Sequence, residues 1–234
     1  MKLGIIGAMQ MEIDNLLEFM TDVTYEECSR VRYVCGKIAE VEIVAAVCFV
    51  GKVAAAICAQ TMIIKYGVDR IINIGVAGTL TKDLGVLDVA VADKVVQHDM
   101  NTSAIGDPIG FLSGIDEIFL PADDGMKTLL CDCLKEKGYC YQLGTIATGD
   151  LFVESAKQRR LIRERFGAIA AEMEGASVGQ ACYMNQVPFA ILRSISDAEG
   201  GAMDFQTFAE NAAQRSIEVV LAFIERIGEL EETA

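Results

Sequence analysis

Short apolar runs alternate along the chain with stretches whose apolar residues recur every three or four positions, so the pattern predicts strands and helices in turn. The run KLGIIGA at 2–8 predicts a strand closed by small residues. Met9, Ile13, Leu16, Leu17 and Met20 follow at helical spacing and predict a helix over 9–20. Residues 31–48 predict two strands around Gly36 and Lys37, and the alanine- and isoleucine-rich stretch 52–66 predicts a buried helix. Apolar strands are expected at 70–80 and 86–99. The stretch 100–121 carries Gly106, Pro108, Gly110, Gly114 and Pro121 without period and reads as an extended loop. Beyond it the pattern predicts helices over 123–137, 155–166, 174–185 and 204–230, and strands over 142–148, 168–171 and 187–196.

Strands apolar on both faces, alternating with helices, predict an α/β fold in which a largely parallel or mixed sheet lies between helices. Three prolines, at 108, 121 and 188, and no Ser/Gly linker interrupt the 234 residues, so a single domain over 1–234 is expected. In such folds ligands gather at the carboxyl ends of strands. Most polar residues singled out below fall there.

Composition narrows the classes. Residues of the hydrophobic set make up 52% of the chain, enough for a large core and against disorder. Twenty basic residues against 34 acidic ones give a net charge of −14, which would repel a phosphate polymer and argues against nucleic acid. No run approaches the roughly 18 apolar residues of a spanning helix, and the first residues lack a signal-peptide layout, so a cytoplasmic protein without membrane association is expected. Eight cysteines in that setting read as reduced thiols. Cys131 and Cys133 have no second pair, and His98 is the single histidine, so no metal site is expected.

Small residues close four strand ends, at Gly4–Gly7, Gly75–Gly78, 147–150 and 194–197, the first three with glycine, and there a ligand can approach backbone amides. None carries a dinucleotide or P-loop signature. Acidic residues stand at the same ends: Glu12 after the first strand, Glu172 and Glu174 around Met173, and Asp197 after Arg193 and Ser196. Taken singly, each acid has an ordinary role as a helix dipole partner or cap. Together they would bring three acids and an arginine to one sheet edge, and paired carboxylates can divide acid and base roles. Arg193, in a strand otherwise reading VPFAIL, needs a carboxylate partner, because an unpaired buried guanidinium is costly. Phe152 and Phe205 lie just beyond strand ends.

The segments GIIGAMQME (4–12), VGKVAAA (50–56), NIGVAG (73–78), HD (98–99), ATGDLFV (147–153), AEMEGA (171–176) and RSISD (193–197), in collinear order over nearly the whole chain, resemble the 5′-methylthioadenosine/S-adenosylhomocysteine nucleosidases of the nucleoside phosphorylase superfamily. The resemblance implies a three-layer αβα sandwich with a central mixed sheet, acting as a homodimer without cofactor or metal on small adenine thionucleosides. It implies that Asp197, placed by Ser196, is the general acid to adenine N7, that Glu12 activates water, and that Arg193 positions the carboxylates. Glu174, beside Glu172, would bind the ribose hydroxyls, Met173 would pack beneath the sugar, and Ala77 and Gly78 would line the site. Phe152 would stack on adenine and the Val153 backbone would read its edge. Met9, Val50 and Phe205 would line the sulfur-bearing tail, with Ile105 reaching it from the partner subunit. Val76 stands where many relatives have serine, and Ile105 where an aromatic is common.

Four rivals are open at this level. A phosphorylase would use phosphate as nucleophile, but the turns at 4–9 and 75–80 hold no basic residue to bind it. Another adenosine-like nucleoside, such as 5′-deoxyadenosine or an aminofutalosine intermediate, would differ only in the tail pocket. A non-catalytic nucleoside binder has no need of both Glu12 and Asp197. A carboxylate metal site from Glu12, Glu172, Glu174 and Asp197 lacks supporting spacing.

Overall fold

The strands deal their side chains alternately to two sides, and helices cover each side. In the computed structural model, which describes residues 1–197 and 202–232, the chain runs β1 (Lys2–Gly7), α1 (Asp14–Leu17), β2 (Thr21–Cys28), β3 (Val31–Ile38), β4 (Val41–Val47), α2 (Lys52–Tyr66), β5 (Arg70–Thr79), β6 (Val89–Gln97), β7 (Leu120–Pro121), α3 (Asp124–Glu136), β8 (Tyr141–Thr148), α4 (Ala156–Phe166), β9 (Ala168–Glu172), α5 (Gly175–Asn185), β10 (Phe189–Asp197) and α6 (Ala202–Glu232). Leu3 and Ile5 of β1, Ile43 of β4, Ile72 and Ile74 of β5 and Leu192 of β10 pack with Leu130 and Leu134 of α3 and Phe223 of α6. Their neighbours Ile6, Val44, Ile71 and Ile191 face α2 and α5, against Cys58, Met62, Val178 and Cys182. That two-residue alternation buries both faces. The result is the expected αβα sandwich.

The sheet is mixed. β4, β1, β5 and β10 run parallel to one another, β6, β8 and β9 form a second parallel set, and antiparallel pairings β5–β9 and β10–β6 join the sets. Because β10 pairs with both β6 and β5, five strands close into a ring, and β2 and β3 extend the sheet beyond β4. In the β5–β9 pairing Gly78 lies opposite Ala171 and Thr79 opposite Ala170, so carboxyl ends from both sets meet there. Such a junction opens a hollow with acids arriving from either set.

Two local expectations are corrected, and one strand was not foreseen. The helix expected over 9–20 forms only as a single turn at 10–12 followed by the short α1, because the Glu12 carboxylate captures the N–H groups of Ala8 (2.7 Å) and Met9 (2.9 Å) and bends the chain. The turn expected at Gly36 and Lys37 lies instead at Ala39 and Glu40, with Ala39 at φ +50°. Gly36 stays inside β3, where a Cβ would sit 2.6 Å from the Thr21 carbonyl oxygen of β2. β2 itself escaped the hydrophobic pattern because most of its side chains are exposed. The stretch 100–121 is irregular apart from a turn at 103–105 and β7, which pairs with β6.

All eight cysteines are unpaired. Among the described residues no helix is long and apolar enough to cross a membrane. At the start of α3 the Asp123 carboxylate accepts from the Met126 N–H at 2.8 Å, a side-chain cap. Asp123→Ala is expected to lower stability by about 1 kcal/mol, read as a shift in urea midpoint at unchanged slope.

Candidate active site

The site grows around a buried arginine. Arg193, in the middle of β10 and 0% exposed, lies between Gly75 of β5 and Ala90 of β6. Its guanidinium donates to the Ile74 carbonyl (3.1 Å), to Asn73 Oδ1 (2.5 Å) and to Glu172, and it lies 3.5 Å from Glu174 Oε2. Asn73 in turn donates to the Ile6 carbonyl (2.8 Å), tying the arginine to β1. Any side chain at position 75 would collide with Arg193 and Glu12, so glycine is required there. Arg193 thus has the carboxylate partners its burial demands. It does not line the cavity.

Glu172 ends β9. Thr148 and Arg193 donate to it, as do the N–H groups of Glu174 (3.0 Å) and Gly175 (2.7 Å) at the start of α5, so both oxygens are engaged. Glu174 accepts from the Gly51 N–H at 2.9 Å. Burial pushes its carboxyl up to about 7, with the like charges of Glu172 and Glu12 adding to the rise against the pull of Arg193. Glu12, 1% exposed, accepts from three backbone amides, those of Ala8, Met9 and Val76 (3.1 Å). Burial raises its pKa despite those donors and the Arg193 charge.

Asp197 closes β10. Its Oδ1 accepts from Ser196 Oγ at 3.2 Å and its Oδ2 from Arg159 Nη2 at 2.6 Å. A Cβ at Gly78 would sit 2.8 Å from Oδ2, so that glycine gives the carboxyl its room. Burial raises the Asp197 pKa, and Arg159 opposes the rise. Glu12 bonds at Val76 and Asp197 lies against Gly78, two residues further along β5. At about 3.3 Å per residue those two points of β5 lie roughly 7 Å apart.

One hollow of about 190 Å³ joins these groups, many times the roughly 10–15 Å³ that one water needs. Of the expected residues, Met9, Glu12, Val50, Ala77, Gly78, Phe152, Val153, Glu172, Met173, Glu174, Ser196, Asp197 and Phe205 line it. Phe152 and Phe205 meet edge to face, with ring centroids 5.9 Å apart. Ile105 does not line it: 82% exposed, it stands at the end of the 103–105 turn. Arg159, on the first turn of α4, escaped the sequence reading. Its only signal there is its place just after Ser155 and Gln158, which cap α4 reciprocally. A second unforeseen group is the clamp behind the rim: Lys52 Nζ donates to Asp99 (2.8 Å), the Asp150 N–H donates to Asp99 (2.9 Å) and the Lys52 N–H donates to Asp150 (2.8 Å). It locks the loop whose Gly51 N–H meets Glu174. Among the described residues no group of three or more His, Cys, Asp or Glu side chains is placed to hold a metal ion.

A family model described as the phosphorylase superfamily matches residues 2–225. The chain belongs to this superfamily. Among the superfamily members it resembles, the aminodeoxyfutalosine nucleosidase of Campylobacter jejuni is 38% identical over 97% of this chain and 100% of its own. The 5′-methylthioadenosine/S-adenosylhomocysteine nucleosidase of Staphylococcus carnosus is 35% identical over 96% of this chain and 100% of its own. The crystal structure of the Helicobacter pylori enzyme of the latter name, with butyl-thio-DADMe-Immucillin-A, superposes with a TM-score of 0.93 at 36% identity, covering 96% of this chain and 98% of that one. These relatives are nucleosidases, and this phosphorylase-superfamily member is an enzyme of that kind, a hydrolase of N-glycosidic bonds.

Glu174 sets a pH dependence. Its folded pKa of about 7 lies above the ordinary 4.5, so between these values the folded chain keeps a proton that the unfolded chain has lost, and stability falls as pH rises. Urea titrations at pH 5 and pH 7 should show a loss on the order of 2–3 kcal/mol from this group, absent in Glu174→Gln. An equal pH difference in both proteins would remove Glu174 as the cause.

Proposed function

We propose that the protein hydrolyses the N-glycosidic bond of 5′-substituted adenine nucleosides, with 5′-methylthioadenosine and S-adenosylhomocysteine as its substrates, in the cytoplasm. The observation that carries this reading is a pair of desolvated acids, Glu12 and Asp197, spaced along β5 on one cavity wall. Breaking the C1′–N9 bond sends its electron pair to the purine and leaves an oxocarbenium-like sugar. Asp197, held by Ser196, protonates N7 and so neutralises the leaving base, while carboxylate charge from Glu12 and Glu174 stabilises the sugar cation. Water adds to C1′ and passes its proton to Glu12. Phe152 stacks on adenine, the Val153 backbone reads its edge, Met173 packs beneath the sugar, Glu174 takes its hydroxyls, and Ala77 and Gly78 form the floor. Arg193 orients Glu172 and Glu174 from behind.

Water is favoured over phosphate because Arg159, the basic residue on the cavity wall, stands at the Asp197 end, leaving the Glu12 carboxylate to face the sugar. The tail pocket of Met9, Val50 and Phe205 is apolar and suits a thioether. A second reading has a specific support: the Campylobacter jejuni relative is named for aminodeoxyfutalosine, and a 5′ tail of that kind would enter through the same wall.

A second copy of the chain completes the proposal. α2 is apolar on its outer side too, with Val53 71% and Ile64 74% exposed, and Ile57, Phe49 and Met184 add to this face. A patch of that kind marks a protein interface, and it borders the rim at Val50, where Ile105 of the second copy would close the tail pocket.

Methylthioadenosine in phosphate-free buffer should yield adenine, and Asp197→Asn or Glu12→Gln should cut turnover by about 10²–10⁴-fold in folded protein. Turnover that appears only with added phosphate would reassign the reaction as phosphorolysis. Comparing kcat/KM for methylthioadenosine, S-adenosylhomocysteine, 5′-deoxyadenosine and aminodeoxyfutalosine decides the tail. Val53→Asp should convert a dimer to a monomer in sedimentation; a monomer in the unmodified protein would refute the assembly.

A further inference from the structure

The two oxygens of Asp197 are both taken: Ser196 Oγ donates to Oδ1 and Arg159 Nη2 to Oδ2. Arg159 also donates to the Thr79 carbonyl (3.0 Å), so its guanidinium bridges α4 to the end of β5 across the base end of the cavity. The ion pair is largely enclosed, with side-chain exposures of 12% for Arg159 and 3% for Asp197. A carboxyl that accepts a charge-assisted hydrogen bond at 2.6 Å is held as the carboxylate. The proposed chemistry needs the same group as a neutral acid when the purine is in place.

We propose that Arg159 is a positioning residue that locks Asp197 in its ionised form while the site is empty, and that purine binding displaces the guanidinium and lets Asp197 take up a proton from solvent. This rests on Asp197 being the acid to the base. The geometry supplies the reason for the switch. Arg159 lines the cavity at the position where the purine edge must approach Asp197, so guanidinium and base N7 compete for one carboxyl face. Once the arginine leaves, burial of the group favours its neutral form. Among the described residues, Asp204 of α6 also disfavours the Asp197 carboxylate, whereas β5 presents backbone at Gly78. Arg159 follows the 149–155 loop carrying Phe152 and Val153, so the residues that receive the base and the residue that leaves it share one segment. The proton balance is closed: one proton enters from buffer on binding, passes to N7 as the C1′–N9 bond breaks and departs with adenine, while the proton that water gives to Glu12 returns to buffer when the products leave.

The test is proton uptake on binding 9-methyladenine, whose blocked N9 leaves N7 an acceptor as in the substrate, measured calorimetrically at pH 7 in buffers of different ionisation enthalpy, on the full chain. The unmodified protein should take up a proton, Arg159→Gln should take up clearly less because Asp197 already holds one, and Arg159→Lys should return toward the original value. In parallel the alkaline limb of kcat/KM should move up by about one to three pH units in Arg159→Gln. Uptake and pH limb unchanged in Arg159→Gln, with Asp197→Asn abolishing uptake, would overturn the lock and leave the acid assignment standing. Undiminished uptake and turnover in Asp197→Asn would instead overturn the acid assignment beneath it.

Discussion

Burying one guanidinium in the centre of a sheet constrains everything at the carboxyl ends of its strands. An unpaired charge in that place would cost several kcal/mol, so Arg193 needs acids, amide and carbonyl oxygens arranged around it. Glu172 and Glu174 come from the end of β9, Asn73 and the Ile74 carbonyl from β5, and Asn73 passes the constraint on to β1. Gly75 leaves the space. Carboxylates that would otherwise repel one another are thereby assembled in one place without metal-like convergence.

The same assembly explains why the acids titrate abnormally. One arginine serves Glu172 directly and reaches Glu174 at longer range, while Glu12 relies on backbone amides. Charge compensation is therefore incomplete, and burial lifts Glu174 and Glu12 above the usual carboxylate range. A site that handles protons near neutral pH gains from groups poised in this way, and the fold bears the loss of stability that the raised pKa values imply.

Closure of the five-strand ring decides where this happens. β5 continues past its pairing with β1 to meet β9 antiparallel, so Val76 to Gly78 become a wall shared by Glu12 from one side and Asp197 from the other. The Lys52, Asp99 and Asp150 clamp then joins the loops after β4, β6 and β8 behind that wall. The loops after β4 and β8, which carry the cavity residues Val50, Phe152 and Val153, are thereby held by side chains outside the cavity.

Alternation of apolar positions and the small residues at strand ends were enough to read a largely parallel or mixed sheet between helices and the acids at its strand ends, because both depend on local spacing: period two buries both faces of a strand, and a small residue beside an acid marks a strand end that a ligand can approach. Met9, Phe152, Met173 and Phe205 were legible through the motifs around them rather than through any property of a methionine or phenylalanine. The failures have a common origin. The 9–20 helix gave way to the amides that Glu12 captures, the hairpin turn moved to Ala39 because Gly36 is needed against Thr21, and β2 is an edge strand with little to bury. Arg159 carries no local mark beyond its place after the α4 cap, since its partners Asp197 and the Thr79 carbonyl stand 38 and 80 residues away. Sequence by itself determined which residues could be buried and which ends could hold chemistry. Tertiary structure alone decided which distant charges share a carboxyl, because long-range pairing depends on strand order and ring closure, which no local period encodes.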